Sequence, residues 1–344
     1  MREKELARFL SAYDGPPLRL MEVCGTHTSS IYRSGIRQIL SPKITLLSGP
    51  GCPVCVTPTA YIDKLAAYAM TDGYKVMAFG DLLAVPGSRL SLAGARDRGG
   101  AVDFFYNPED VLAMAEKDRS TTYVLAAVGF ETTAPVWADL VKRVYDEKIP
   151  NIRFLTALKT MPRAMNILAA DLHIDGFLCP GHVAVITGSR PFQKLSETSG
   201  KPMVIGGFTP PLLLHALSRL VLEAAKKQGG LWNEYPSVVR EEGNPRALAL
   251  MDEVFAAGDA VWRGLGPIEG SGLYISGKYE FLDAGSRGLT EDRMPKGCCC
   301  AFVLTGRMVP SDCPCFGKAC TPDHPVGACM VSGEGACSIT YRGG

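Results

Sequence analysis

Two cysteines separated by two residues give the strongest local signal in the sequence. In Cys52-Pro-Val-Cys55 one thiolate can attack a disulfide while the other resolves the mixed disulfide, and both sulfurs can reach one metal. The surrounding segment, Gly49-Pro-Gly-Cys-Pro-Val-Cys55, combines prolines that stiffen the loop with glycines that allow unusual backbone angles. The pair predicts a redox dithiol. The alternative is half of a zinc site or two inert buried thiols.

A second thiol stands close to an imidazole near the N-terminus. In Cys24-Gly-Thr-His27 a thiol, a hydroxyl and an imidazole follow an apparent strand, at a turn where helix N–H groups favour thiolate. Cys24 is therefore a candidate nucleophile or soft iron ligand. In the alternative interpretation Thr26 is a helix N-cap and His27 a satisfied polar residue of the first turn. The tetrapeptide alone leaves both interpretations open.

Two further motifs contain groups that can transfer protons. Glu131, in the segment Gly129-Phe-Glu-Thr-Thr-Ala-Pro135, could carry a proton or orient His27, but the local sequence favours an ordinary carboxylate at a helix N-terminus. His182, in Pro180-Gly-His182, precedes an apolar run, as structural histidines do. We assign no role to the neighbouring Cys179.

The C-terminal cysteines give the clearest metal pattern. Four of them are separated by 14, 6 and 16 residues in a loop-rich tail: Cys298, Cys313, Cys320 and Cys337. Four thiolates are the usual ligand set of a 4Fe-4S cluster, and the short Cys-x-x-Cys knuckles typical of structural zinc sites are missing from the tail. Zinc remains open on spacing alone. The ligand choice is also open, because further cysteines lie nearby: Cys299, Cys300, Cys315 and Cys329.

Composition narrows the classes of function. The chain has 36 basic and 35 acidic residues, so its charge does not favour binding to nucleic acid or to an anionic membrane. No apolar run is long enough for a membrane span or a signal peptide, and twelve cysteines in a reducing compartment indicate metal or redox chemistry. We expect a cytoplasmic protein. Nucleotide-binding fingerprints and a zinc-protease motif are also missing.

The elements that must position these residues are those of an α/β protein. Short apolar runs alternate with helical patterns between residues 18 and 226. The predicted strands are 18–23, 44–48, 75–79, 122–128, 152–157, 176–179 and 203–206. Helices are predicted at 58–70, 108–117 and 210–227. The motifs follow strands, and the carboxyl ends of parallel strands are where ligands bind, so we expect the motifs to face one cleft.

The domain prediction divides this alternation into two sheets. The first Rossmann-like α/β domain is expected at 18–128 and the second at 129–230, because this division fits the motif spacing. After about residue 230 the alternation fades into Gly- and Cys-rich sequence that needs a metal to hold it together. The third, smaller part is therefore expected at 231–344, together with residues 1–17.

Taken together, the motifs resemble those of the HypD family of hydrogenase maturation proteins. They include two segments not yet mentioned, Pro180-Gly-His-Val-Ala-Val-Ile-Thr-Gly188 and Ile268-Glu-Gly-Ser-Gly272. The resemblance runs from about residue 20 to 338, with the motifs in order. It implies two similar parallel-sheet domains around a cleft and a smaller Cys-rich iron-sulfur domain.

The resemblance also implies roles for individual residues. It assigns a 4Fe-4S cluster to the cysteines with the 14, 6 and 16 spacing, which are Cys298, Cys313, Cys320 and Cys337. Cys300 is close enough to Cys298 to be an alternative ligand. Cys24 would bind the iron of a nascent cofactor and Cys52 with Cys55 would form a redox pair. Thr26, His27 and Glu131 would give polar support.

Partners follow from the same resemblance. The family implies a stable complex with HypC, on which an iron atom receives cyanide from HypE, with HypF upstream, and carbon monoxide. The product would reach the hydrogenase large-subunit precursor through HypC. This describes a redox-active scaffold, to which the sequence assigns no independent turnover reaction.

Two rival classes remain at the level of sequence. The first is a stand-alone iron-sulfur oxidoreductase that uses Cys52 and Cys55 to reduce a protein disulfide. The second is a structural zinc protein that binds a partner.

Overall fold

Two mostly parallel β-sheets, with helices between their strands, organise the chain. The computed structural model describes residues 3–171 and 173–343. The strands are β1 (Leu18–Glu22), β2 (Ile44–Ser48), β3 (Tyr74–Ala78), β4 (Val102–Phe104), β5 (Thr122–Gly129), β6 (Ile152–Lys159), β7 (Gly176–Pro180), β8 (Pro202–Gly206), β9 (Gly230–Asn233), β10 (Phe255–Trp262) and β11 (Gly266–Ile275).

Helices connect the strands and form the C-terminal tail. They are α1 (Glu3–Ser11), α2 (Gly25–Arg33), α3 (Ile36–Ile39), α4 (Thr59–Ala69), α5 (Leu92–Asp97), α6 (Asp110–Lys117), α7 (Ala134–Asp146), α8 (Met161–Ala169), α9 (Gly181–Thr187), α10 (Arg190–Ser199), α11 (Pro210–Ala225), α12 (Pro245–Val254), α13 (Cys300–Leu304), α14 (Ala328–Val331) and α15 (Ala336–Gly343). Short 3-10 helices lie at Gly80–Leu82, Gly277–Leu282 and Pro310–Asp312.

The strands are divided between a first and a second sheet. The first sheet has the order β2-β1-β7-β8-β9, and all its neighbours are parallel. The second sheet has the order β10-β11-β6-β5-β3-β4. Strands β6, β5, β3 and β4 of this sheet are parallel to their neighbours. The β10–β11 hairpin is antiparallel, and β11 also pairs antiparallel with β6.

Side-chain alternation along the strands builds three cores. In β5, Val124 and Ala126 point into a core between the two sheets, while Leu125 points to the outer core beneath α7 and α12. In β1, Met21 points into the same central core, and Leu20 points to the outer core beneath α1 and α11. The central core also contains cysteines of the C-terminal tail. The tail therefore packs between the sheets.

Local sequence explains where several helices begin. Proline stands in the first turn of α7, α8, α10, α11 and α12, where its missing N–H breaks no helical hydrogen bond. Asn244 caps α12 by accepting from the N–H groups of Arg246 and Ala247. Within the described ranges, no helix has the length and apolarity required to span a bilayer.

The α/β class and the two mostly parallel sheets are confirmed, and so are the predicted strands and helices to within a few residues. Sequence patterns missed β4, β9 and the β10–β11 hairpin. These strands lack the long apolar runs by which a strand is recognised in a sequence. Each becomes a strand by pairing with a neighbour that is distant in the sequence or joined to it by a loop.

The two sheets are assembled from interleaved segments of the chain. The first takes strands from residues 18–48 and 176–233, and the second takes strands from 74–159 and 255–275. A single boundary between residues 128 and 129 therefore does not separate them, since it cuts the end of β5. Residues 231–275 supply most of β9 and the hairpin, and α1 packs on α11 at the outer face of the first sheet. Both segments therefore pack with the sheets, and the tip of the β10–β11 hairpin also contacts α13 of the tail through Gly264.

Candidate functional site

Each sheet has one point where its chain connections diverge. In the first sheet β1 leads to β2 on one side and β7 leads to β8 on the other, which opens a crevice between β1 and β7. Cys24 and His27 follow β1, and His182 follows β7. In the second sheet the crevice lies between β3 and β5, which are followed by Asp81 and Glu131. These motifs therefore follow the carboxyl ends of strands in both sheets.

Cys24 lies directly against the loop that carries Cys52 and Cys55. The Gly25 N–H donates to the Gly51 carbonyl at 3.2 Å, and a Cβ on Gly51 would lie 2.5 Å from the Cys24 nitrogen. Burial raises the pKa of the Cys24 thiol to about 11, although the backbone N–H groups of His27 and Thr26 favour thiolate. The thiol therefore favours its protonated form near neutral pH.

His27 is completely buried and held as a neutral imidazole. Its Nε2 lies 3.2 Å from the Gly206 carbonyl, and its ring stacks on Phe208 at 4.5 Å between centroids. Burial lowers the pKa of His27 to about 4. His182 stacks on Phe208 as well, with centroids 3.8 Å apart. The two histidines are thus linked through one aromatic ring, which the sequence did not predict.

Thr26 connects the site to the C-terminal tail. Cys24, rather than Thr26, occupies the N-cap position of α2, and no side-chain hydrogen bond caps that helix. The Thr26 hydroxyl donates instead to Glu334 at 3.4 Å, and Ser332 donates to Asp81 at 3.2 Å. Desolvation raises the pKa values of Glu334 and Asp81, so the mouth of the site holds two carboxyl groups that accept protons readily.

Glu131 lies away from His27. Its Oε1 accepts from the Met161 N–H at 2.9 Å, and its Oε2 is buried without a hydrogen-bond partner in the described part of the chain. Burial raises the pKa of Glu131 to about 8. The carboxyl group thus contacts the N-terminus of α8, whereas its local sequence favoured the N-terminus of the helix that follows it, α7.

A second buried carboxyl group stands just before Cys24. Thr28 on α2 donates to Glu22 at 2.6 Å, and burial raises the pKa of Glu22 to about 7. No motif marked Glu22, because a glutamate at the end of a strand is usually exposed and only its burial distinguishes it.

The Cys52–Cys55 pair also contacts the tail. The Cys55 N–H donates to the Cys52 sulfur at 3.2 Å, and both side chains lie in the central core. On its other side the Cys55 thiol lies within hydrogen-bonding reach of Cys329 and 3.8 Å from the Ala328 carbonyl. Burial raises the pKa of Cys55 well above its usual range. Cys52 and Cys55 thus stand between Cys24 and the C-terminal thiols.

The four predicted cluster cysteines line one thiol-rich pocket. The pocket is lined by Cys298, Cys299, Cys300, Cys313, Cys315, Cys320, Cys337 and the apolar side chains Val303, Phe316, Val326 and Met330. The sulfurs of Cys298 and Cys300 are 3.1 Å apart, so both reach the same side of the pocket. Cys329 stands behind the pocket, within hydrogen-bonding reach of Cys300 and Cys337.

The sulfur donors and the apolar lining of the pocket suit an iron-sulfur cluster. Soft thiolates in apolar surroundings are the ligands of such clusters. A Cβ on Gly327 would collide with the sulfurs of Cys298 and Cys300, and the Val326 N–H donates to the Cys320 sulfur at 3.3 Å. Among residues 3–171 and 173–343, no group of three or more His, Cys, Asp or Glu side chains is placed to hold a single metal ion.

Sequence reasoning missed several residues that the fold brings to this site. Cys329 is one of four tail cysteines to which the sequence assigns no role, and Asp81 and Glu334 carry no signal in the sequence. The high number of cysteines in the tail indicates metal or redox chemistry, but it does not distinguish Cys329 from the other tail cysteines. The carboxyl groups could not be found from local patterns, because their importance depends on contacts across the fold.

The fold and the site together define an α/β protein with a buried thiol at a sheet switch point and a Cys-rich tail packed between its two sheets. The sequence model of the HypD family, described as the hydrogenase formation hypA family, matches residues 3–344. The chain belongs to this family of hydrogenase maturation proteins.

Curated relatives share this sequence over nearly their whole length. A putative hydrogenase expression/formation protein of Methanocaldococcus jannaschii is 38% identical, over 94% of this chain and 92% of its own. The hydrogenase maturation factor HypD of Rhodobacter capsulatus is 37% identical, over 98% and 93%. The HypD of Escherichia coli is 36% identical, over 98% and 92%.

Proposed function

We propose that this protein is the scaffold on which the iron-cyanide-carbonyl group of NiFe-hydrogenases is assembled. Cys24 holds the iron, HypC completes the complex, and HypE delivers cyanide from a precursor that HypF makes. Cys298, Cys313, Cys320 and Cys337 hold a 4Fe-4S cluster, which supplies single electrons when bound. The iron and its carbon monoxide and cyanide are cargo, which leaves through HypC to the hydrogenase large-subunit precursor.

One observation carries the proposal: a series of contacts leads from Cys24 through the Cys52–Cys55 pair to the thiols of the pocket. Cys24 adjoins the Cys52–Cys55 loop through Gly51, and Cys55 contacts Cys329, which contacts Cys300 and Cys337 in the pocket. This arrangement supports a redox role for the pair. Oxidation of the two thiols forms one S–S bond and releases two protons and two electrons, and reduction reverses this.

The buried environment supports the iron-binding role of Cys24. Its thiol keeps its proton near neutral pH, because burial raises its pKa to about 11. Iron binding must displace that proton, and a carboxyl group at the mouth with a raised pKa, such as Glu334, is suited to accept it. Soft thiolate also suits low-spin iron.

Metal and sulfide analysis tests the cluster. The full chain is purified anaerobically as wild type, as Cys313→Ala and as the matched control Cys179→Ala, whose cysteine lies in β7 and does not line the pocket. We expect about four irons and four labile sulfides in the wild type and the control, and most of them lost in Cys313→Ala. Zinc without sulfide in the wild type would overturn the cluster and favour a structural zinc protein.

A complementation experiment tests the redox pair and the iron ligand. Cells that lack their own copy of this factor receive the wild type, Cys24→Ala or the double variant Cys52→Ala with Cys55→Ala. We expect hydrogenase activity and infrared bands of bound cyanide and carbon monoxide only with the wild type. Normal bands in the double variant would refute the redox role.

A separate assay measures disulfide reductase activity of the purified protein without hydrogenase factors. Activity in that assay would favour a stand-alone oxidoreductase.

A further inference from the structure

Two cysteines that the proposed function does not use stand at the rim of the thiol pocket. Cys299 and Cys315 both line the pocket, and both are partly exposed to solvent. Cys300, Cys320 and Cys337 lie deeper and are buried. The solvent-facing side of the pocket therefore carries thiols beyond the four that the proposed cluster needs.

Cys299 makes a different contact from its two neighbours in the chain. The sulfurs of Cys298 and Cys300 meet each other at 3.1 Å. The Cys299 thiol lies instead against the Gly297 carbonyl, at 3.8 Å. Cys299 occupies the N-cap position of α13, and its carbonyl accepts the first hydrogen bonds of that helix, so its backbone is fixed.

Cys315 reaches the same carbonyl from another loop. Its sulfur lies 3.3 Å from the Gly297 oxygen. Gly297 has a φ of 79°, and a Cβ there would lie 3.2 Å from the Cys315 sulfur, so the two segments are in direct contact. Two thiols that share one acceptor are close enough for side-chain rotation to form a disulfide, in which the sulfurs are about 2 Å apart.

Exposure decides which thiols an oxidant from the solvent meets first. Cysteine oxidation follows accessibility, and redox-sensitive cysteines stand beside a second thiol that resolves the first oxidation product. Cys299 and Cys315 meet both conditions. The predicted ligands at the same rim, Cys298 and Cys313, are bonded to iron when the cluster is present and are then not free to pair.

We propose that Cys299 and Cys315 form a protective dithiol at the mouth of the thiol pocket, which peroxide oxidises to a disulfide before it attacks the cluster. This inference rests on the proposed 4Fe-4S cluster. One S–S bond forms and the O–O bond of hydrogen peroxide breaks. The two electrons and the two thiol protons convert the peroxide into two molecules of water. A dithiol reductant restores both thiols by exchange and is itself oxidised to a disulfide.

Peptide mapping of the oxidised protein tests the pair. The full-length wild type is purified anaerobically, treated with equimolar hydrogen peroxide, unfolded, alkylated at its remaining thiols and digested with trypsin. Trypsin separates the two cysteines, because it cuts after Arg307 between them. We expect one disulfide per chain between the peptides 297–307 and 308–318, which fragment masses assign to Cys299 and Cys315. Treatment with dithiothreitol before alkylation should remove it.

Three variants measure the protection. Cys299→Ser and Cys315→Ser each remove one partner of the pair. Cys179→Ser is the matched control, because its cysteine lies in β7 and does not line the pocket. Iron and labile sulfide are counted before and during exposure to peroxide. We expect all variants to start with the wild-type content, and Cys299→Ser and Cys315→Ser to lose sulfide several-fold faster than the wild type and the control.

The outcomes separate this inference from the proposed function. A wild type without iron and labile sulfide would overturn both. Normal iron and sulfide with no disulfide between the two peptides, or with equal rates of sulfide loss in all four proteins, would overturn the protective pair alone. Loss of iron from untreated Cys299→Ser or Cys315→Ser would also overturn it, because that cysteine would then be a cluster ligand.

Discussion

Burial sets the protonation of several side chains that follow the strands of the two sheets. It raises the pKa of Cys24 to about 11 and of Glu131 to about 8, and it lowers the pKa of His27 to about 4. Each of these groups therefore favours its neutral form near pH 7.

Glu131 gives a prediction on pH and stability. Its pKa of about 8 in the folded protein exceeds the ordinary 4.5, so the folded chain holds a proton that the unfolded chain releases. This contribution to stability is therefore lost as the pH rises from 4.5 to 8. Glutamine at this position stays neutral and can still accept from Met161. We expect Glu131→Gln to become more stable than the wild type as the pH rises, by up to about 1.4 kcal/mol per pH unit.

Urea unfolding at pH 5, 6.5 and 8 measures this difference. Glu116→Gln, at an exposed position of α6, serves as the matched control and should run parallel to the wild type. If Glu131→Gln also ran parallel to the wild type, Glu131 would not carry a proton in the folded state.

Among the elements, loops and one hairpin tip bring the chemistry together. The loops after β1 and β2 touch through Gly51, and the β10–β11 hairpin reaches both the Cys52–Cys55 loop and α13. Parallel strands make the first contact unavoidable, because β1 and β2 are neighbours whose carboxyl ends share one edge. The close approach of the two backbones then requires glycine.

Gly51→Ala tests this contact. The added Cβ would lie 2.5 to 2.7 Å from the Cys24 backbone, which cannot move without displacing α2. We expect a loss of about 1–3 kcal/mol in the free energy of unfolding. Alkylation of Cys24, followed by mass spectrometry, should become faster as the two loops separate.

Gly80→Ala is the control for Gly51→Ala. A Cβ at Gly80 meets nothing within 4 Å, so its effect should stay within about 0.5 kcal/mol. Equal losses in the two variants would show that the contact between the loops is unimportant.

On the scale of the whole molecule, the C-terminal tail ties the two sheets together. Thr26 and Glu334 join the tail to the loop after β1, and Ser332 joins it to Asp81 after β3. Tyr32 on α2 contacts Thr340 on α15 at 3.0 Å. Because the tail passes between the sheets, whatever holds the thiol pocket together also shapes the surroundings of Cys24.

Removal of the metal should therefore loosen a defined part of the molecule. After anaerobic chelation of iron we expect faster amide hydrogen exchange in α2, α14 and α15, since these helices depend on the tail. The helices α1 and α11 pack on the outer face of the first sheet and should keep their exchange rates. A uniform increase would instead indicate global unfolding, and no change would mean that the tail folds without metal.

The sequence by itself determined the class of fold, most strands and the chemically active motifs. Apolar runs such as those of β5 and β6 bury both faces of a strand, which local patterns reveal directly. The family resemblance rests on motifs whose residues are close in the chain. Cys52 with Cys55 and the cysteine tail needed no tertiary information to be recognised as candidates.

Only the tertiary structure decided which strands share a sheet and which side chains meet. β1 pairs with β7 across 156 residues, with Leu20 beside Gly176, so the two sheets are built from interleaved segments of the chain. Cys329, Asp81 and Glu334 came to the site through contacts of this kind. The physical reason is that burial and pairing depend on neighbours that are distant in the chain, whereas local patterns report only neighbours in sequence.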